Sequence, residues 1–88
     1  MSTNQIKFNL NEVLAEISTT RNKVAVESKT RPATILDLAS GDTRTIKLET
    51  MVEILNAINR IAKENGSTRQ FGIEALIEYI PQDNEESG

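Results

Sequence analysis

Ile6-Lys7-Phe8 alternates apolar and polar residues, the two-residue period of a short strand. From Asn9 onward the period lengthens. Leu10, Val13, Leu14 and Ile17 stand at i, i+3, i+4 and i+7, which predicts an amphipathic helix with that stripe in the core. Asn9 suits the N-cap, and Glu12 three residues on completes the pattern of a capping box. Thr19 or Thr20 caps a second helix that runs to about Ser28 and carries the apolar pair Val24-Ala25. A turn follows over Ser28 to Thr30. Pro32 fits the first position of a third short helix, because it has no N–H to leave unpaired and its φ is preset. Arg31 before it should be extended, since the proline ring crowds a helical backbone there. Ile35 and Leu38 point inward, and Gly41 closes the helix.

After a turn at Gly41-Asp42-Thr43, a long helix is predicted from Leu48 to Asn65, with Gly66 as its stop. Leu48, Met51, Val52, Leu55, Ile58 and Ala62 form one stripe, read as core. Ile54, Ile58 and Ile61 widen it on one side. That second edge is read as a subunit contact, against the plainer alternative of a wide core stripe. Asn65 to Gln70 is polar and predicts a flexible surface loop. Phe71 to Leu76 predicts a short turn of helix, and Leu76 to Ile80 a strand ended by Pro81. Pairing Ile6–Phe8 with Ile77–Ile80 would join the two ends of the chain, within one molecule or exchanged between two. The expected architecture is an all-α domain of four to five helices over residues 1–81, with a small two-stranded terminal β-sheet. Residues 82–88 are expected to form a disordered acidic tail.

Two short helices joined by a tight turn form a helix-turn-helix, whose second helix can lie in a DNA major groove. The segment Val24 to Gly41 resembles the Cro/repressor-type (XRE-like) helix-turn-helix family. That family has an apolar residue and Ala, a turn, Thr-Ile in the second helix, an apolar residue three on, and Gly three after that. Here those places are Val24-Ala25, Thr34-Ile35, Leu38 and Gly41, with every spacing kept. Asn9 to Ser18 resembles the family's first helix and Ile46 to Leu55 its fourth. Leu76 to Pro81 resembles the C-terminal segment of one small subgroup. Two places depart from the pattern. Lys29 stands where the family usually has Gly with a left-handed backbone, so either the turn is reshaped or a cost of about 1 kcal/mol is tolerated. Asn59 to Phe71 lengthens a connection that is shorter in the subgroup.

Composition bears on this reading mainly by exclusion. The 88 residues include no cysteine and no histidine, which removes zinc fingers, thiol nucleophiles, disulfides and histidine acid/base chemistry. No cofactor and no metal is expected. Without a glycine-rich phosphate loop or a paired-carboxylate constellation, the chain is not expected to be an enzyme. No apolar run reaches the ~18 residues of a membrane span, and Met1 to Gln5 lacks the apolar core of a signal peptide. A cytoplasmic location is expected. The net charge of −3 looks unsuited to DNA until it is mapped. Asp83, Glu85 and Glu86 supply it; the rest of the chain has ten basic against ten acidic residues. Between Thr20 and Lys47 six basic residues face three acidic ones, a local +3. Phosphate attraction is local, because charges beyond about 10 Å are screened at moderate salt.

The resemblance implies double-stranded DNA as partner, a homodimer, and no membrane. It places Arg21, near the start of the first motif helix, at a DNA phosphate; a merely solvated Arg is the alternative. Arg31, pointing off the start of the recognition helix (residues 32–40), would reach a guanine edge or a phosphate. Counting along that helix turns Pro32, Ala33, Leu36 and Asp37 outward. Ala33, Thr34 and Leu36 would meet thymine methyl groups, and Asp37 would accept from cytosine. Thr43, Arg44 and Lys47, on the loop before the next helix, would approach a second phosphate, with Thr45 beside them. Arg69, on the inserted loop, would touch DNA or nothing, and nothing is the expectation.

Two functions follow. The first is a sequence-specific DNA-binding transcriptional regulator, a dimeric repressor that blocks a promoter sterically. The alternative is a protein-interaction module on the same fold, an antirepressor or an antitoxin with a protein partner. The apolar Leu36 on the outward face and the acidic tail support that alternative.

Overall fold

The computed structural model describes residues 5–81. The order of elements is β1 (Ile6–Phe8), α1 (Leu10–Glu16), α2 (Arg21–Ser28), α3 (Pro32–Ser40), α4 (Leu48–Glu64), α5 (Ile73–Leu76) and β2 (Ile77–Tyr79). The protein is mostly helical, with five helices and one two-stranded sheet among the described residues. The sheet closes within one molecule: β1 and β2 pair antiparallel, Ile6 opposite Tyr79 and Phe8 opposite Ile77. The expected tail, residues 82–88, lies outside the described residues.

The α1 stripe packs as its spacing predicts, with Leu10, Val13, Leu14 and Ile17 all buried. Its cap is different. Asn9 makes no side-chain cap bond to the helix. Its amide instead donates to Glu78 Oε1 at 3.3 Å, and its backbone N–H donates to the Leu76 carbonyl at 2.8 Å. Pairing of the chain ends thus displaces the local capping box. Thr20, not Thr19, caps α2, its Oγ1 accepting from the Lys23 N–H at 3.1 Å.

α2 buries Val24, Ala25 and Ser28, and α3 buries Ile35, Leu38 and Ala39. Burial of side chains the size of Leu or Ile contributes about 1.5–3 kcal/mol each, so the α2–α3 pair is held chiefly by packing. Ser28 reconciles its hydroxyl with burial by donating to the Val24 carbonyl at 2.6 Å. α3 is tied to α1 by the Asn11 amide, which donates to the Ala39 carbonyl at 3.2 Å.

α4 shows the main correction. Its core face is Met51, Ile54, Ala57, Ile58, Ile61 and Ala62, all buried. Leu48 and Val52, expected in the core, are 76% and 53% exposed, and Leu55 is half-buried. Ile54, Ile58 and Ile61, read from the sequence as a subunit contact, are core residues and cannot serve as one. The helix is apolar over more than half its circumference, so which stripe turns inward depends on its neighbours. The Ala57 side, small enough for close approach, is the one that is covered.

The loop after α4 is polar, as expected, and anchored. The Asn59 amide donates to the Phe71 carbonyl at 2.9 Å and its Oδ1 accepts from the Phe71 N–H at 2.7 Å. Phe71 is thereby a buried loop residue, and α5 starts two residues later than Phe71. Arg69, expected to touch nothing, meets both Glu16 oxygens at 2.7 and 2.8 Å and lies 4.6 Å over the Phe71 ring.

Candidate nucleic-acid interface

The α2–α3 turn sets the geometry of the candidate surface. α2 ends as Lys29 turns left-handed, with φ 56° and ψ 36°. The Lys29 N–H then reaches the Val26 carbonyl at 3.2 Å and the Thr30 N–H the Ala25 carbonyl at 3.0 Å, pairing carbonyls that a helix end otherwise leaves open. A lysine in this conformation is strained by about 1 kcal/mol relative to glycine. Arg31 is extended, with φ −59° and ψ 137°, and Pro32 opens α3. The Arg31 carbonyl accepts from Thr34 and Ile35, so its backbone is fixed where the helix begins. α3 stops at Gly41, whose φ of 83° suits glycine.

Beyond the turn, α4 begins at Leu48 and packs along α2, so that its first turns face the start of α3 across an open space. Between them lies an open groove of about 550 Å³ lined by Lys29, Arg31, Thr34, Thr45, Lys47 and Thr50, together with Glu49 and Glu53. Of the expected contact residues, the groove therefore gathers Arg31, Thr34 and Lys47. Thr43 and Arg44 line a neighbouring hollow with Ile6, Phe8 and Ile77, joined to the first through Thr45 and Ile46. Pro32, Ala33, Leu36 and Asp37 form the solvent face of α3 and line neither hollow. Leu36 is 50% exposed, as its outward position requires. Arg21 is exposed at the first position of α2, outside both hollows.

The cations of this face stay outside the ion pairs of the described residues, as do Lys7 and Lys63 elsewhere. Among the described residues three ion pairs form: Lys23–Glu27, Arg60–Glu27 and Arg69–Glu16. None uses Arg21, Lys29, Arg31, Arg44 or Lys47. Arg60 additionally donates to the Glu27 carbonyl at 2.9 Å, so it completes the end of α2 as well as pairing with its side chain. The face's five cations are thus left to solvent or to a partner.

Glu49, Thr50 and Glu53 are lining residues that the sequence reading missed. Its charge count stopped at Lys47, but α4 turns Glu49 and Glu53 back toward the turn. The groove is consequently less positive than the local +3 of the linear segment. Glu49 sits in the first turn of α4, where a carboxylate also complements the helix N-terminus. The i, i+4 spacing of Glu49 and Glu53, just after Lys47, was the available signal.

Apart from Val26, Leu36 and Ile73 of α5, the exposed large apolar side chains fall in two places. Leu48 and Val52 lie one helical turn apart on α4, and Ile6, Tyr79 and Ile80 lie on the sheet. Among the described residues, no helix is long and apolar enough to cross a membrane. No family model matches this chain, and neither does any curated protein or solved structure.

Proposed function

We propose that this chain is a sequence-specific DNA-binding transcriptional regulator, a homodimeric repressor of Cro/repressor type that sets α3 in the major groove. The observation that carries the reading is the set of cations around the α2–α3 turn: Arg31, Lys29 and Lys47 line one groove with Thr34 and Thr45, and none enters an ion pair among the described residues. Arg and Lys with small hydroxyl side chains are the groups that hold a phosphate backbone. In this reading Arg31 and Lys47 straddle the strand bordering the groove that α3 enters, with Arg44 extending the contact. Arg21, at the start of α2, meets the phosphate on the other side.

Sequence preference then comes from Arg31 and the α3 face. Ala33 and Leu36 are suited to thymine methyl groups, and Asp37 to a cytosine amino group. Because few polar groups face outward, DNA shape contributes the remainder. Two copies would present their recognition helices about 34 Å apart on a palindromic site. Leu48 and Val52, exposed on α4, are the apolar pair on that helix available for a second copy to cover.

One observation favours a second reading. Leu36 on α3 and Val26 on α2 are both strongly exposed, as for a helix pair that meets a protein. A binding selection on random duplex DNA separates the two. The regulator reading expects an enriched palindrome whose affinity falls steeply with salt. Failure to enrich any sequence would contradict it and leave the protein-interaction reading.

A further inference from the structure

The described chain stops just past Ile80, which shares a hollow with Lys7 and the end of α3, and the residues that follow are acidic. The Ile80 N–H donates to the Gln5 carbonyl at 2.7 Å, which fixes the backbone one residue before Pro81. Ile80 lines a hollow with Ser40 and Gly41 at the end of α3. Arg44, three residues past Gly41, lines the next hollow with Ile6 and Phe8, and Thr45 leads from there to Lys47 and Arg31. Asp83, Glu85 and Glu86 follow Pro81 with no basic residue among them. Five residues of extended chain span at most about 17 Å, so Glu86 can travel from Pro81 along the Gly41–Arg44 edge toward Lys47.

We propose that Asp83, Glu85 and Glu86 dock on the face formed by Arg44, Lys47 and Arg31 and there compete with an incoming phosphate backbone. Charge complementarity carries the choice of occupant. The face holds cations that no described carboxylate pairs, and the nearest acidic run in the chain begins two residues past Pro81. Glu49 and Glu53 already lower the charge of the groove. Three further carboxylates would hold weak, sequence-blind phosphate binding down, while a full operator contact with α3 in the groove displaces them. The competition rests on the DNA-reading proposal; the docking does not.

The test compares the full chain with its neutralised form, Asp83→Asn, Glu85→Gln and Glu86→Gln, using backbone amide NMR spectra without DNA. At about 0.02 M salt, where exposed charges act over roughly 20 Å or more, the two spectra should differ at Thr43 to Lys47 and at Lys29 to Arg31. The differences should vanish near 0.5 M, where screening shortens that reach to about 4 Å. Both forms are then titrated with one mixed-sequence duplex of about 20 base pairs, and the neutralised form should bind about five- to tenfold more tightly at low salt. Amide changes confined to residues 79–88 would overturn the docking, whatever the duplex shows. Amide changes on the face with no duplex binding by either form would uphold the docking and defeat the DNA reading.

Discussion

The two ends of the molecule use their polar side chains in opposite ways. At the end built by α1, α5 and the loop before α5, they bind the chain itself. Arg69 grips Glu16 through both oxygens, Asn65 donates to the Ile17 carbonyl at 2.7 Å, and Asn59 pairs with both backbone groups of Phe71. On the α2–α3 side Lys23 and Arg60 pair with Glu27, but Arg21, Lys29, Arg31, Arg44 and Lys47 enter none of the ion pairs formed among the described residues. The first set completes a fold whose core is thin. The second set lies over a core that Val24, Ile35 and Leu38 already hold without it. Cations that the ion pairs of the fold do not use, gathered at the start of an exposed helix as Lys29, Arg31 and Lys47 are, mark where a partner is to be sought.

Substitutions at the two ends should therefore sort cleanly. The largest effect is expected for Asn59→Ala, which leaves the Phe71 N–H and carbonyl without their partner. It should cost about 2 kcal/mol of stability and lower Tm by roughly 10 °C, leaving DNA affinity per folded molecule unchanged. Calorimetry paired with a binding titration checks both halves, and an unaltered Tm would break the comparison at this end. Arg31→Ala is the mirror case. Affinity for the selected duplex should fall about tenfold, with Tm unmoved. Loss across all site variants would mark a phosphate contact and relaxed preference at one base a base contact, whereas full affinity would remove Arg31 from the interface.

Lys29→Gly should act in both directions at once. Relief of the left-handed backbone should stabilise the fold by about 1 kcal/mol, while loss of one cation should weaken DNA binding about threefold and flatten the salt dependence by about one unit. A stability gain with unchanged binding would confine Lys29 to the turn. The smallest effect belongs to Glu53→Gln, expected to tighten binding about twofold at low salt by removing one carboxylate from the groove. Weaker binding in that variant would show that Glu53 orders a neighbouring cation instead.

Local patterns were legible wherever one stripe had one plausible partner. α1 packs as its spacing demands and Thr20 caps as its side chain permits, while Lys29 takes the left-handed backbone, one of two outcomes the sequence left open. Legibility failed where tertiary contacts chose among locally equal options. α4 offers apolar residues at 48, 51, 52, 54, 55, 58, 61 and 62, and period alone cannot say which side is covered. Asn9 and Glu12 spell a capping box, but β2 takes Asn9 away. At the candidate interface, helix counting placed Leu36 and Asp37 outward correctly. Glu49 and Glu53 went unseen because their approach to the turn is a property of how α4 packs against α2, not of the linear charge count.

The most direct test of the account is to add the selected duplex to the protein and follow every backbone amide by NMR. The perturbed residues should be Arg21, Lys29 to Asp37 and Thr43 to Lys47, while Asn59 to Phe71 stays silent. Perturbation centred on Arg69 and the loop before α5, or none at the start of α3, would contradict it.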